Sequence, residues 1–345
     1  MLVGKILRLI ALVNLCLLPA SRSSALPTAS SEHSKQMRFS CRDRILEILS
    51  LPAEGRFDSE RLVSFDQVLR DQLKNIVEKR SFALEPLSKE LGFHLFPSRL
   101  AKVKEHPNSE EIIGFDSKGV YVQLLNSSET VEDSSFRRRY IVKEGYNQDR
   151  QVDLIQIPNL FESVNLPPAR IETYLNQFGS RRSGEEVMGY LLLHEWIHAQ
   201  QSRNTSWGFY LSQYHSILNE SVHFKKISKK RLLHWGWTAL VTLSGHRRLS
   251  SGAELLSEFQ AQSIAPLPGL NPKEIQSLWK RILKQVTSNN SDWEDVRRAL
   301  SRFQALISQM SRFDQSRRAA FAANFAVDSA IDWLHKTKSY HASSR

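Results

Sequence analysis

Residues 183–201 read "SGEEVMGYLLLHEWIHAQQ", and the fold and chemistry of the chain turn on this stretch. Ser183 followed three positions later by Glu186 is a capping box, in which each side chain satisfies a backbone N–H of the other residue. A helix is therefore expected to begin at Gly184. Val187, Leu191, His194 and His198 then share one stripe, because residues four apart stack on the same helical face. Two imidazoles on successive turns lie about 6 Å apart along the axis, so a ring nitrogen of each can reach one metal ion at about 2 Å. Glu195 sits roughly 100° further round, where it can reach a water beside that ion without displacing either histidine. The residues form H-E-x-x-H, whose mechanics are those of metal-assisted hydrolysis. The competing reading makes the two imidazoles ordinary core histidines satisfied by backbone carbonyls. It leaves Glu195 as an unpaired carboxylate on an apolar helix, which is costly. The metal reading is the better of the two.

Working outward, the N-terminus "MLVGKILRLIALVNLCLLPASRSSALP" has the form of an export signal: Lys5 and Arg8, an apolar run from Leu9 to Leu18, then Ser23-Ser24-Ala25. Ten apolar residues are too short to cross roughly 30 Å of hydrocarbon as a helix, so cleavage is expected rather than anchoring. A secreted or periplasmic protein follows. Loss of residues 1–25 leaves Cys41 as the single cysteine, and no disulfide can form within the mature chain. Lys5, Arg8 and Arg22 leave with it, so the net charge falls from +11 to 11 − 3 = +8. A basic exported protein is drawn to anionic envelope polymers or membrane surfaces, and nucleic acid is not expected as a partner. With 41% hydrophobic and 24% charged residues, the chain is not expected to be disordered throughout.

Residues 26–36 are Ser-rich and polar, and no internal repeat is present. In "DSERLVSFDQVLRDQLKNIVEK", Leu62, Phe65, Val68, Leu69, Leu73 and Ile76 recur at helical spacing. The character changes at residue 110. "EEIIGFDSKGVYVQLLN" predicts two short strands around an Asp-Ser-Lys-Gly turn, and "RRRYIVKEG" and "QVDLIQIPN" predict two more. From Gly184 onward the pattern is largely helical. Helices, a small mostly antiparallel sheet and further helices make an α+β protein. Its expected divisions are a signal peptide at 1–25 and a helical region at 26–105 with the position of a removable prosegment. A core at 106–265 and a helical region at 266–345 complete the chain.

Through "LLLHEWIHAQQ" and the strand-rich segment before it, the chain resembles the zincin metallopeptidases. The resemblance is firm over about a dozen residues and architectural over roughly 110–265. It implies that His194 and His198 bind zinc and that Glu195 is the general base. A catalytic zinc needs a third protein ligand. The metzincin continuation is excluded, because Gln201 and Asn204 stand where its glycine and third histidine would be. Gluzincins take a glutamate from a later helix, and "SSGAELLSEFQAQ" offers Glu254 and Glu258. Ser251 and Glu254 read as another capping box, which gives Glu254 a structural task. Glu258 lies one turn further in, on the arc of Leu255, Phe259 and Gln262, where a carboxylate needs a partner. Gln262 occupies a position where those families often carry an aspartate. Glu220 in "ILNESVHF" is the rival ligand, and His215 and His223 are further alternatives.

The expected activity is hydrolysis of a peptide or protein substrate. Zinc would acidify a water, and Glu195 would take its proton and return it to the leaving amine. His215, His223, Tyr210 and Tyr214 are candidate donors to the oxyanion, and "QVDLIQI" is expected to be an edge strand that pairs with an extended substrate. "FKKISKKRLLHWGWTALVTLSGHRR" joins basic residues to Trp235 and Trp237. It reads either as a core element with a solvated basic flank or as a segment resting on a membrane or anionic polymer. The rival to the enzyme is a non-catalytic envelope-binding protein that keeps a structural zinc.

Overall fold

Alternation in residues 111–125 builds the first hairpin. The computed structural model describes residues 59–79, 82–105, 111–125, 135–141, 150–161, 183–224, 248–267, 269–309 and 325–339. In it β2 (Glu111–Asp116) and β3 (Val120–Leu125) pair antiparallel around the expected turn. Asp116 Oδ1 accepts from the backbone N–H of Lys118 (2.9 Å) and of Val120 (2.7 Å), and Gly119 adopts φ +84°, a conformation natural only without a side chain. Val120, Val122 and Leu124 are buried while Tyr121, Gln123 and Leu125 are partly exposed, the period of two of a half-buried strand.

The sheet is completed by β1 (Phe93–Leu95), β4 (Ser135–Ile141) and β5 (Arg150–Pro158), in the order β1-β2-β3-β5-β4. Three pairings are antiparallel and β3–β5 is parallel, so the sheet is mixed and mostly antiparallel, as expected. One expectation fails. The strand containing "QVDLIQI" is not at an edge: β5 lies between β3 and β4, and β4 takes the outer position. Leu154, Ile155, Gln156 and Ile157 are consecutive and all buried. A strand covered on both faces belongs inside a sheet.

The helices are α1 (Ser59–Lys79), α2 (Leu84–Glu90), α3 (Pro97–Glu105), α4 (Gly184–Asn204), α5 (Ser206–Phe224), α6 (residues 248–264), α7 (Pro272–Thr287), α8 (Trp293–Gln309) and α9 (Phe325–Ser339). The protein is α+β. The described residues belong to one compact unit that holds two apolar cores. The first joins the sheet with α1, α2, α3 and α4; the second joins α5 and the C-terminal helices, with Leu62 of α1. Helix α6 serves both, giving Ala261 and Ile264 to the first and Leu255, Leu256 and Phe259 to the second.

Two local details position α4. Its capping box forms as expected, with Glu186 N–H donating to Ser183 Oγ (3.2 Å) and Ser183 N–H to Glu186 Oε2 (3.1 Å). Gly189 lets the chain at Phe82 lie directly on the helix, since a β-carbon there would fall 1.9 Å from the Phe82 carbonyl oxygen. The second expected capping box does not form. Helix α6 is already running at residue 248, so Ser251 and Glu254 lie inside it, and Ser251 is buried. Glu254 instead lies 3.6 Å from His215 Nε2 on α5. The export signal, Cys41 and most of the basic aromatic segment (225–247) lie outside the described residues. No helix among the described residues is long and apolar enough to cross a membrane.

Candidate metal centre

Helix α4 is buried on nearly all sides, so its polar residues face other protein groups rather than water. Helix α6 packs beside it and is buried almost all round as well. His194, Glu195 and Glu258 are all at least 95% shielded from solvent, and His198 is partly so. The stripe expected from the i, i+4 spacing is present: the two imidazoles meet edge-on, with ring centroids 4.7 Å apart at 87°.

The three expected ligands converge. His194 Nε2 and His198 Nε2 are 3.1 Å apart, and each lies 3.5 Å from Glu258 Oε2. A tetrahedral ion with bonds of about 2.0–2.1 Å separates its ligand atoms by about 3.3–3.4 Å. The triangle in this protein therefore has the dimensions of one face of such a site. The three residues form a group able to hold a metal ion. Two imidazoles and a carboxylate suit a divalent transition metal.

The same proximity tilts the charges. Burial opposes ionisation of Glu258, but the imidazoles of His194 and then His198 outweigh it, and the carboxyl is held well below the usual range. Burial likewise opposes a charged His198, yet the carboxylates of Glu258 and Glu195 outweigh it and raise the imidazole above its ordinary value.

The surroundings orient the donors. His198 Nδ1 lies 2.8 Å from Gln201 Oε1 and 3.0 Å from Ser257 Oγ, which leaves Nε2 to face His194 and Glu258. Gln262, expected as an amide that would orient a histidine, holds the carboxylate instead. Its Nε2 donates to Glu258 Oε1 at 2.6 Å while its Oε1 accepts from Leu267 N–H at 2.7 Å. Glu195 Oε1 is buried and has no hydrogen-bond partner among the described residues, and the same holds for His194 Nδ1.

Of the alternatives, His215 pairs with Glu254 and is not in the cluster. Glu220 and His223 fall on α5, but their side chains lie outside the described residues. Tyr210 and Tyr214 are buried in the second core, their rings stacked 6.3 Å apart. Gln201 and Ser257 are the residues that sequence reasoning missed. Gln201 counts in the sequence only as evidence against a metzincin, although an amide one turn after His198 is well placed to hold its imidazole. No family model matches the chain, and no match was found among curated proteins or solved structures.

Proposed function

We propose that the protein is a zinc-dependent peptidase of zincin type, exported to a secreted or periplasmic location, with gluzincin-like ligation by His194, His198 and Glu258. The observation that carries this reading is the carboxylate of Glu195. It is 1% exposed and its Oε1 has no partner among the described residues, one position along the helix from a ligating histidine. A buried carboxylate oxygen without a donor costs several kcal/mol on the scale of about 2–7 kcal/mol for unpaired polar groups. A fold keeps such a group where a proton is to be received.

When bound, a zinc ion supplies Lewis-acid polarisation of a carbonyl and lowers the pKa of water at the site. The chain's own residues do the rest. His194, His198 and Glu258 fix the position about which substrate and water gather. Glu195 accepts a proton from the attacking water at a carboxylate oxygen, and returns it to the departing amine as the C–N bond breaks. Packing of α4 and α6 keeps bulk water from the Glu195 carboxylate. The proposed partners are a peptide or protein substrate and an anionic envelope or membrane surface.

The test is Glu195→Gln in the full mature chain. The amide retains the shape but cannot take a proton at neutral pH, so peptide hydrolysis should fall by at least ~10² while metal content stays at one per chain. A chelator should abolish wild-type hydrolysis and added zinc should restore it. Equal behaviour of wild type and Glu195→Gln across a broad peptide library would reject the peptidase and leave a non-catalytic metal-holding protein.

A further inference from the structure

A run of buried side-chain amides leads from His198 to a carboxylate on the first helix of the structure. His198 Nδ1 faces Gln201 Oε1 at 2.8 Å; Gln201 Nε2 donates to Gln260 Oε1 at 3.1 Å; Gln260 Nε2 donates to Asp66 Oδ1 at 3.0 Å. Gln201 and Gln260 are fully buried and Asp66 is 3% exposed. Asp66, on α1, is itself held by Trp279 Nε1 (2.9 Å) and Arg70 Nε (2.7 Å). Arg70 also ties down α6, donating to the Ser263 carbonyl (3.0 Å) and hydroxyl (2.7 Å).

The polarity of this run is set by groups that only accept. The Asp66 carboxylate can take only the NH₂ end of Gln260, which turns Gln260 Oε1 toward Gln201. The Ser257 carbonyl, 2.8 Å from Gln201 Nε2, likewise takes only an NH₂ end, so Gln201 must present its oxygen to His198. Ser257 Oγ donates to that same oxygen at 2.6 Å. His198 must then carry its proton on Nδ1 and present a lone pair at Nε2.

We propose that Asp66 is a positioning residue of the metal centre: through Gln260 it acts with the Ser257 carbonyl to hold Gln201 in the orientation that fixes the metal-binding tautomer of His198. The inference rests on the reading of His198 as a ligand. A network of this kind also makes α1 a component of the site, although Asp66 lies 132 residues before His198. Removal of α1 as a prosegment would leave Gln260 facing no carboxylate. Hydrogen-bonded partners one step beyond a ligand typically change metal affinity by about 10–100-fold.

The experiment uses the full mature chain and zinc itself, with affinity measured by chelator competition and geometry by the visible spectrum of the cobalt-substituted protein. Gln260→Met breaks the run while sparing the Asp66 contacts to Trp279 and Arg70. It should weaken zinc binding about tenfold and shift the cobalt bands. Asp66→Asn should weaken binding similarly, and the double variant should be no weaker than the weaker single, because both break one chain. Trp333→Phe, which removes the 3.2 Å bond to the Leu249 carbonyl in the second core, serves as a fold control and should bind zinc as wild type does. Unchanged zinc affinity and cobalt bands in Gln260→Met, with only its thermal midpoint lowered, would overturn the relay alone. Should Asp66→Asn fail to fold, Gln260→Met decides. A folded wild type that binds no metal would overturn both the relay and the site on which it rests.

Discussion

The C-terminal core and the α4–α6 pair of this protein are built on opposite principles. In the C-terminal core, helices α7, α8 and α9 each present one apolar stripe: Ile275, Leu278, Trp279, Ile282 and Val286 on α7 meet Val296, Ala299, Leu300, Phe303 and Ile307 on α8. Phe259 of α6 stacks on Phe303 at 4.0 Å, with the rings almost parallel. The α4–α6 pair is different. Both helices are buried almost all round, and His194, Glu195, Gln200, Gln201, Ser257, Glu258, Gln260 and Gln262 are all buried between apolar neighbours. Apolar burial of the first kind stabilises without direction, at roughly 25 cal/mol per Å². Polar burial of the second kind contributes little net stability but sets geometry and register, because each group must find its partner. Helix α6 is where the two meet, with one face in each core.

If that division is right, the two regions should fail separately. Glu258→Ala should weaken metal binding by more than the ~10–100-fold typical of an outer partner, and leave the C-terminal packing intact. Phe303→Ala should do the reverse, lowering stability by about 3–5 kcal/mol with one metal retained per folded chain. Metal analysis and thermal denaturation on both variants check this pair, and a single variant that loses both properties equally would dissolve the distinction.

A smaller effect probes how the first core holds α4. Gly189→Ala places a methyl 1.9 Å from the Phe82 carbonyl oxygen, so the segment before α2 must move off the helix. A loss of roughly 1–3 kcal/mol is expected in chemical denaturation. Wild-type stability in this variant would mean that the segment at residue 82 is not pressed against α4.

The smallest effect belongs to the second core's surface. His335 stacks on Trp293 at 3.6 Å, and burial, with the nearby Lys338 charge, lowers its pKa below the ordinary value despite Asp332. The folded chain thus favours the neutral imidazole. Its contribution is present above about pH 6.5 and is lost as pH falls through the lower folded value. His335→Gln should therefore flatten the fall in thermal midpoint between pH 7 and pH 5 slightly, and an unchanged slope would remove the stack from the account.

Much of the candidate site was legible because its signals are local. Ser183 and Glu186 cap a helix three residues apart, and His194, Glu195 and His198 read out within two turns. The Asp-Ser-Lys-Gly turn at 116–119 was equally self-contained. Glu258 was legible for another reason: a carboxylate on an apolar arc demands a partner wherever it lies. Errors arose where the decision was made elsewhere in the chain. Ser251 and Glu254 match a cap by spacing, yet helix α6 had already begun by residue 248. The run Leu154–Ile157 was assigned to an edge, although its place inside the sheet depends on β3 and β4 pairing with its two sides.

By itself, the sequence determined the α+β order of elements, the start of α4 and the shared face of His194 and His198, since caps, turns and helical periodicity act over a few residues. Only tertiary structure decided which glutamate meets those histidines, which strand lies at the edge, and that Gln201, Gln260 and Asp66 join into one hydrogen-bonded run. Those outcomes depend on the packing of α1, α4 and α6. Contacts between residues widely separated along the chain leave no period in the sequence to read.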